Sequence, residues 1–118
     1  MKKKLFIVLL VSIFVITITG CGKKQSTGNS ELDDAINSGK YTIVDVRAFA
    51  EYETGHVKDA INIPYDSIDE NVKLDKDNTI IVYCKSGVRS KKAADTLKRL
   101  GYKVIDLGAY DSVPLDKE

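Results

Sequence analysis

The feature that most constrains the fold is a short loop between a predicted strand and a predicted helix. Thr79–Tyr83 is a continuous apolar run that predicts a buried strand, and Lys91–Leu100 has the pattern of an amphipathic helix. The loop between them is Cys84-Lys85-Ser86-Gly87-Val88-Arg89-Ser90. This order is typical of parallel sheets, whose ligand sites lie at the carboxyl ends of the strands. We therefore expect Cys84 at a strand end, facing the start of the next helix.

The remaining elements alternate in the same way. The pattern predicts a helix at Ser30–Ser38 with Ser30 as its N-cap, strands at Tyr41–Val46, Ala60–Ile63 and Tyr102–Leu107, and one or two helical turns at Arg47–Tyr52. Asp66–Leu74 is ambiguous, with room for a short helix, and the residues after Gly108 show little periodicity. Alternation of this kind predicts an α/β domain with a small parallel sheet of four to five strands flanked by helices.

The first 20 residues do not belong to that domain. Three lysines precede Leu5–Thr19, an uncharged apolar stretch of 15 residues, which gives the form of a signal peptide. A membrane-spanning helix needs about 20 such residues. The stretch ends in Ile18-Thr19-Gly20-Cys21, which resembles a bacterial lipobox. The resemblance implies cleavage before Cys21 and a lipid on its sulfur.

We therefore expect a lipoprotein signal peptide at 1–20, a lipidated cysteine and flexible tether at 21–29, and a folded domain at 30–118. Such a protein is exported and anchored in the cell envelope through Cys21. An ordinary signal peptide, or an uncleaved anchor with an incidental cysteine, is the alternative.

The chain has two cysteines, and exported proteins often pair them in disulfides. If Cys21 carries a lipid, Cys84 is left as a free thiol, which in an exported protein indicates reactivity. A disulfide between Cys21 and Cys84 is the alternative, and it would remove the nucleophile considered below.

Charge is distributed unevenly along the chain. The formal net charge is +1, but from Glu31 onward there are 13 basic and 17 acidic residues. Nothing in this balance indicates a nucleic-acid surface. The window Cys84–Lys92 nevertheless contains four basic residues and no acid, so it favours a local anion site. The alternative is a solvated basic start of a helix.

Cysteine is a nucleophile only as its thiolate. The helix amino terminus, Lys85, Arg89 and the loop N–H groups all favour that form, and Gly87 permits the backbone angles of a tight loop. The alternative is an inert buried cysteine. Other chemistries lack their motifs: there is no C-x-x-C, no phosphate-binding G-x-x-x-x-G-K-[ST], and one histidine with one cysteine cannot form a zinc site. His56 could be a base for Cys84 or a structural residue of a turn.

An ordered set of segments resembles the rhodanese-like (sulfurtransferase) domain family. The resemblance extends over about Ser30–Gly108, and no single motif carries it. The matching segments are Ile43–Arg47, Glu51-Tyr52, Gly55–Val57, Ala60–Pro64, Ile81–Ser90 and Ala93-Ala94.

The resemblance implies the three-layer rhodanese-like fold and thiosulfate sulfurtransferase activity. In that chemistry the Cys84 thiolate takes the outer sulfur of thiosulfate as a persulfide and passes it to cyanide or a thiol. The loop residues around the sulfur would be Lys85, Ser86, Gly87, Val88 and Arg89. Asp45 and Arg47 match a motif that we interpret as structural support.

The same resemblance implies no metal or organic cofactor. The partners would be a small anionic sulfur donor, a thiol or cyanide acceptor, and the membrane through Cys21, with no nucleic acid. The alternative function is a non-catalytic module of the same fold that carries sulfur or binds a protein at the membrane surface.

Loop length separates this reading from the related cell-cycle phosphatases and arsenate reductases. Those phosphatases have C-x5-R, whereas Cys84 and Arg89 form C-x4-R, a smaller cradle that suits a single sulfur atom better than a phosphoryl group. Two departures from the family stand out. Gln25–Asn29 is too polar to be a good first edge strand, and the residues after Pro114 are too few for the usual C-terminal helix.

Overall fold

The computed structural model describes residues 27–118. The helices are α1 (Ser30–Ser38), α2 (Phe49–Thr54) and α3 (Val88–Arg99), and the strands are β1 (Tyr41–Asp45), β2 (Ile61–Asn62), β3 (Thr79–Cys84) and β4 (Lys103–Ala109). Two 3-10 turns, Tyr65–Ser67 and Tyr110–Ser112, complete the elements. The predicted signal peptide, the predicted lipid site at Cys21 and most of the predicted tether lie outside the described residues.

The four strands form one parallel sheet in the order β2-β1-β3-β4. The prediction of an α/β fold with a small parallel sheet is confirmed, with four strands in the described chain. All six residues of β3 are buried, as expected of a central strand covered on both faces. Asp45 pairs with Tyr83 in the register of β1 and β3, so the two strands end side by side.

Two apolar clusters cover the two faces of the sheet. Alternate residues of β3 point into each, because successive side chains of a strand face opposite ways. Helix α3 packs on one face through Ala93, Ala94 and Leu97. Helix α1 packs on the other through Leu32 and Ala35. The sheet edge that carries Cys84 is thus held between helices on both sides.

The start of α1 corrects one prediction. The N-cap is Asn29 and not Ser30, since the Asn29 Oδ1 accepts the Leu32 N–H at 3.1 Å while Ser30 is already helical. Asn and Ser are about equally good N-caps, so preference alone does not choose between neighbours. The ambiguous segment 66–74 has only the end of the 3-10 turn at Tyr65–Ser67 and no α-helix.

The described chain shows what takes the place of the first edge strand and of the usual C-terminal helix of the family. Residues 27–29 form no strand. After the 3-10 turn at Tyr110–Ser112, the C-terminal segment runs back along the turn that precedes β2. The His56 N–H donates to the Glu118 carbonyl, and the Glu118 N–H donates to the His56 carbonyl, each at 2.8 Å. Buried Val113 fastens this segment to the core, so part of the tail without periodicity is ordered by pairing.

Within residues 27–118, no helix is both long enough and apolar enough to cross a membrane.

Candidate active site

Cys84 is the last residue of β3 and is completely buried. Its thiol is free. The Gly87 N–H donates to the Cys84 Sγ at 2.9 Å, so the loop curls back over the sulfur. Helix α3 begins at Val88, three residues earlier than the amphipathic pattern predicts, and its first turn is therefore part of the loop. The sulfur lies where backbone donors at a helix amino terminus converge.

Gly87 makes this curl possible. Its φ is +99°, in the left-handed region that residues with a side chain rarely adopt. A Cβ at Gly87 would also lie 3.6 Å from the Cα of Gly108. A bulge in the β3–β4 pairing, between Val82 and Cys84, accompanies this close approach. The loop is thus shaped by its own glycine and is supported from β4.

The surroundings lower the pKa of the Cys84 thiol. Burial acts most strongly and would raise the pKa, because a buried thiolate loses water. Hydrogen bonds from the Ser90 hydroxyl and from the backbone of Ser90, Gly87 and Ser86 outweigh it. The Ser90 Oγ also donates to the Gly87 carbonyl at 3.2 Å, so its single proton has two acceptors within reach. Hydrogen bonds from the loop backbone and from Ser90 thus favour the thiolate form of Cys84.

Arg89 is engaged by a neighbouring helix. Its Nη1 and Nη2 donate to the two carboxylate oxygens of Glu51 at 2.7 and 3.1 Å. This fork lowers the pKa of Glu51 to about 2 and raises that of Arg89. Both groups are therefore charged at neutral pH, and the pair joins the first turns of α2 and α3. The pair connects the loop that carries Arg89 to α2, and the charge of Arg89 is largely balanced by Glu51.

The other loop side chains reach solvent. Lys85, Ser86 and Val88 are exposed, and Gly87 is half-buried. Lys85 therefore stands at the loop mouth, where its charge acts on anions over about 8–10 Å at ordinary salt concentrations.

Asp45 and Arg47 form a buried ion pair beside the loop. The Asp45 carboxylate accepts from the Arg47 Nε at 2.9 Å and from the Arg47 Nη2 at 2.6 Å. Arg47 Nη2 also donates to the Gly55 carbonyl at 2.6 Å. The guanidinium lies over the ring of Tyr110, with the centroid at 4.3 Å. The ion pair thus holds the end of β1 against the turn before β2.

Tyr83 connects this ion pair to the Cys84 loop. Its hydroxyl donates to Asp45 Oδ2 at 2.7 Å and accepts the Val57 N–H at 3.0 Å. Burial, first, and then the hydrogen bond to Asp45 raise the pKa of Tyr83, so the hydroxyl stays protonated. Because Tyr83 directly precedes Cys84, this network fixes the backbone from which the nucleophile projects.

The contacts of His56 do not fit a base for Cys84. Its Nδ1 lies 3.0 Å from the Tyr52 carbonyl and its Nε2 lies 3.3 Å from Glu118 Oε1. The ring stacks on Tyr52 with centroids 3.9 Å apart. Both ring nitrogens therefore have partners other than Cys84, which favours the structural alternative. Across residues 27–118, no three metal-ligating side chains come together.

Two surface cavities lie apart from the loop. One, of about 170 Å³, is lined by residues that include Tyr41, Lys58 and Leu115. The other, of about 140 Å³, lies beside Glu70, Leu100 and Tyr102. Neither includes a residue of the Cys84 loop, so we assign the site from the chemistry of the loop and not from the size of a cavity.

This fold and this cysteine loop agree with the comparisons to known proteins. The model of the rhodanese-like domain matches residues 28–111, most of the chain, and the protein belongs to that family. A solved rhodanese with anions from E. coli superposes with a TM-score of 0.61 at 31% identity, over 66% of this chain and 96% of that one.

Curated relatives contain the domain as a smaller part. A tRNA uridine(34) hydroxylase of Erwinia tasmaniensis is 33% identical over 71% of this chain and 25% of its own length. A Bacillus subtilis protein described as a candidate sulfur carrier, YrkF, is 34% identical over 62% of this chain and 37% of its own length. The chain thus spans about a quarter to a third of these relatives, whose similarity is confined to this region.

Sequence reasoning assigned no role to three residues of the site. The role of Ser90 could have been predicted from the sequence, because Ser90 is the one polar residue on the buried face of α3. The other buried residues of that helix are Ala93, Ala94 and Leu97. Glu51 and the Tyr83 hydroxyl gave none. Their partners, Arg89 and Asp45, are each 38 residues away in the chain, and only the fold brings them together.

Proposed function

We propose that the protein is a sulfurtransferase whose Cys84 carries the transferred sulfur as a persulfide. The observation that carries the proposal is the buried sulfur at the end of β3, with the Gly87 N–H directed at it and its pKa lowered. The similarity to a rhodanese and to a candidate sulfur carrier supports the same chemistry.

The first half-reaction uses thiosulfate as donor. The Cys84 thiolate attacks the outer sulfur, a new S–S bond forms at Cys84, and the S–S bond of thiosulfate breaks to release sulfite with the electron pair. Lys85 attracts the dianion to the loop mouth. The N–H groups around Cys84 then stabilise the persulfide anion, as they stabilise the thiolate.

The second half-reaction regenerates the enzyme. Cyanide or a thiolate attacks the terminal sulfur of the persulfide, the bond to Cys84 breaks, and Cys84 leaves as the stabilised thiolate. Thiocyanate or a new persulfide forms. Charge and electrons balance in both halves, so no oxidant, reductant or cofactor is required.

Thiocyanate formation from thiosulfate and cyanide tests the proposal. We expect turnover by the wild-type chain and a gain of one sulfur atom at Cys84 in its mass after exposure to thiosulfate alone. Cys84→Ser should reduce the rate to the uncatalysed background, while Cys21→Ala should keep it. Turnover by a folded Cys84→Ser protein, with circular dichroism like the wild type, would contradict the mechanism.

A non-catalytic sulfur carrier is the second candidate, because Cys84 is completely buried and one relative is described as a candidate carrier. It predicts a stable sulfur adduct on Cys84 without turnover in the cyanide reaction.

We also propose that a lipid on Cys21 anchors the protein in the cell envelope. The lipobox-like segment supports this location. The wild-type chain should begin at Cys21 and carry the mass of a diacylglycerol, whereas Cys21→Ala should carry no lipid mass. An unchanged mature mass, with unchanged partitioning, would reject lipidation.

A further inference from the structure

The edge of the sheet that carries Cys84 also carries exposed apolar side chains. Phe49 is 60% exposed and Val88 is 63% exposed. Phe49 begins α2 and Val88 begins α3, and the Glu51–Arg89 ion pair joins the first turns of these helices. Both helices follow the carboxyl ends of neighbouring parallel strands. Phe49 and Val88 are therefore at the same edge of the sheet as the sulfur.

Exposed cations lie on the Cys84 loop and near the start of α3, the helix that Val88 begins. Lys85, Lys91 and Lys92 are all exposed, and Lys91 is only loosely paired with Asp95 at 3.2 Å. The remainder of the domain is acidic, with 13 basic and 17 acidic residues from Glu31 onward. This edge thus combines cations with apolar side chains, and its complement is an acidic surface that offers apolar groups.

Cys84 is completely buried, and neither of the two surface cavities described above includes a residue of its loop. A persulfide would place the reacting sulfur about 2 Å beyond the Cys84 Sγ. An acceptor thiol that reaches this sulfur can gain binding from exposed groups of the loop and of the helices beside it. Lys85 in the loop, Phe49 in α2 and Lys92 in α3 are exposed groups of this kind.

We propose that Phe49, Lys85, Val88 and Lys92 form a docking face for an acceptor protein that presents its cysteine on an acidic surface with apolar side chains. This inference rests on the proposed sulfurtransferase function. The acceptor thiolate attacks the terminal sulfur, the bond to Cys84 breaks with its electron pair, and the acceptor leaves as a persulfide.

Two other occupants fit the observations less well. In a symmetric dimer through this face, the same cations would oppose each other, which disfavours a second copy. A membrane with anionic lipids would suit the charge and the apolar groups, but it would cover the sulfur that must react.

Matched cysteine peptides provide the test. One short peptide flanks its cysteine with leucines and glutamates, and the second replaces every glutamate with lysine. The full chain is loaded with thiosulfate, and transfer is compared with that to free cysteine. We expect the acidic peptide to have the highest kcat/KM and to lose that advantage as salt is raised.

Variants assign the preference to the docking face. Phe49→Ser should lower the ratio of kcat/KM for the acidic peptide to that for free cysteine by about tenfold, which corresponds to about 1.4 kcal/mol. Ile61→Ser is the matched control, because Ile61 is 43% exposed but lies on edge strand β2, with β1 between it and β3. Lys92→Gln should reduce the salt dependence, whereas Lys98→Gln, at the other end of α3, should not.

The outcomes separate the two proposals. Equal rates for both peptides, or equal effects of Phe49→Ser and Ile61→Ser, would overturn the docking face. Transfer to free cysteine in the same experiment would still support the sulfurtransferase function. Absence of transfer to any acceptor would overturn that function itself. Inhibition by phosphatidylglycerol vesicles that Phe49→Ser relieves would show that the face binds lipid and would reject the protein acceptor.

Discussion

The neighbouring strands β1 and β3 each end in a residue that an arginine follows in the chain, but the two arginines have different partners. β1 ends in Asp45 with Arg47 two residues later, and β3 ends in Cys84 with Arg89 five residues later. At the end of β1, the arginine pairs with the acid of its own loop, and both are buried. At the end of β3, the arginine pairs with Glu51 on another helix, and the sulfur accepts hydrogen bonds from backbone N–H groups and the Ser90 hydroxyl.

The difference favours a structural role for the end of β1 and the proposed reactive role for the end of β3. A buried carboxylate that already accepts hydrogen bonds from Arg47 and Tyr83 has no capacity for a ligand. The Cys84 thiol accepts hydrogen bonds from the loop backbone and from the Ser90 hydroxyl, and these lower its pKa. The same sheet edge therefore contains a buried ion pair and a thiol of lowered pKa side by side.

The largest effect is expected at the rigid end. Asp45→Ala leaves the Arg47 charge buried without its partner, which costs about 3–5 kcal/mol of the free energy of unfolding. Urea denaturation followed by circular dichroism measures this loss. Asp66→Ala, at an exposed acid, should change the free energy of unfolding by less than about 0.5 kcal/mol. Similar losses in the two variants would refute the structural role of the ion pair.

Tyr83→Phe tests the link between the two ends. Removal of the hydroxyl leaves the Val57 N–H buried without an acceptor, which costs about 1–3 kcal/mol. We also expect slower alkylation of Cys84 by iodoacetamide, since the strand end that positions the sulfur is loosened. Tyr41→Phe, at the half-buried start of β1, is the control. A loss of unfolding free energy no greater than in Tyr41→Phe would mean that the hydrogen bonds of the Tyr83 hydroxyl do not support the loop.

Glu51→Gln tests how much the ion pair between Glu51 and Arg89 contributes to stability. The ion pair is partly exposed, so we expect a stability loss of about 1 kcal/mol or less at neutral pH. The folded pKa of Glu51 is about 2, below its ordinary value of 4.5, so its contribution is complete above pH 4.5 and disappears as the pH falls through about 2. The difference between variant and wild type should shrink over that interval in acid unfolding. A difference that grows toward low pH would contradict this pairing.

Ser90→Ala should have the smallest effect on stability and a clear effect on reactivity. Loss of the hydroxyl donor moves the pKa of the Cys84 thiol upward, so the thiolate forms at higher pH. The pH profile of iodoacetamide alkylation should shift to higher pH, with slower labelling at neutral pH. Ser67→Ala, at an exposed serine, should leave the profile in place. An unshifted profile in Ser90→Ala would mean that the backbone N–H groups alone set the pKa.

Much of the fold was predictable from local pattern. The apolar run of β3 and the spacing of Ala93, Ala94 and Leu97 on α3 determine a buried strand and a helix that packs on it, because periodicity reflects which side chains can be buried together. The starts of elements were less predictable. Asn29 caps α1 in place of Ser30, and α3 begins inside the loop, since hydrogen bonds with their particular geometry decide where a helix starts.

The sequence by itself determined the cysteine loop proposed as the site, because Cys84, Gly87 and Arg89 are close in the chain and their spacing limits the shape of the loop. Only the tertiary structure decided what each ionisable group faces. Arg89 pairs with Glu51 and Asp45 with Tyr83 across 38 residues, and the C-terminal segment pairs with the turn around His56. Such contacts depend on which strands become neighbours in the sheet, and the local sequence pattern does not predict that order.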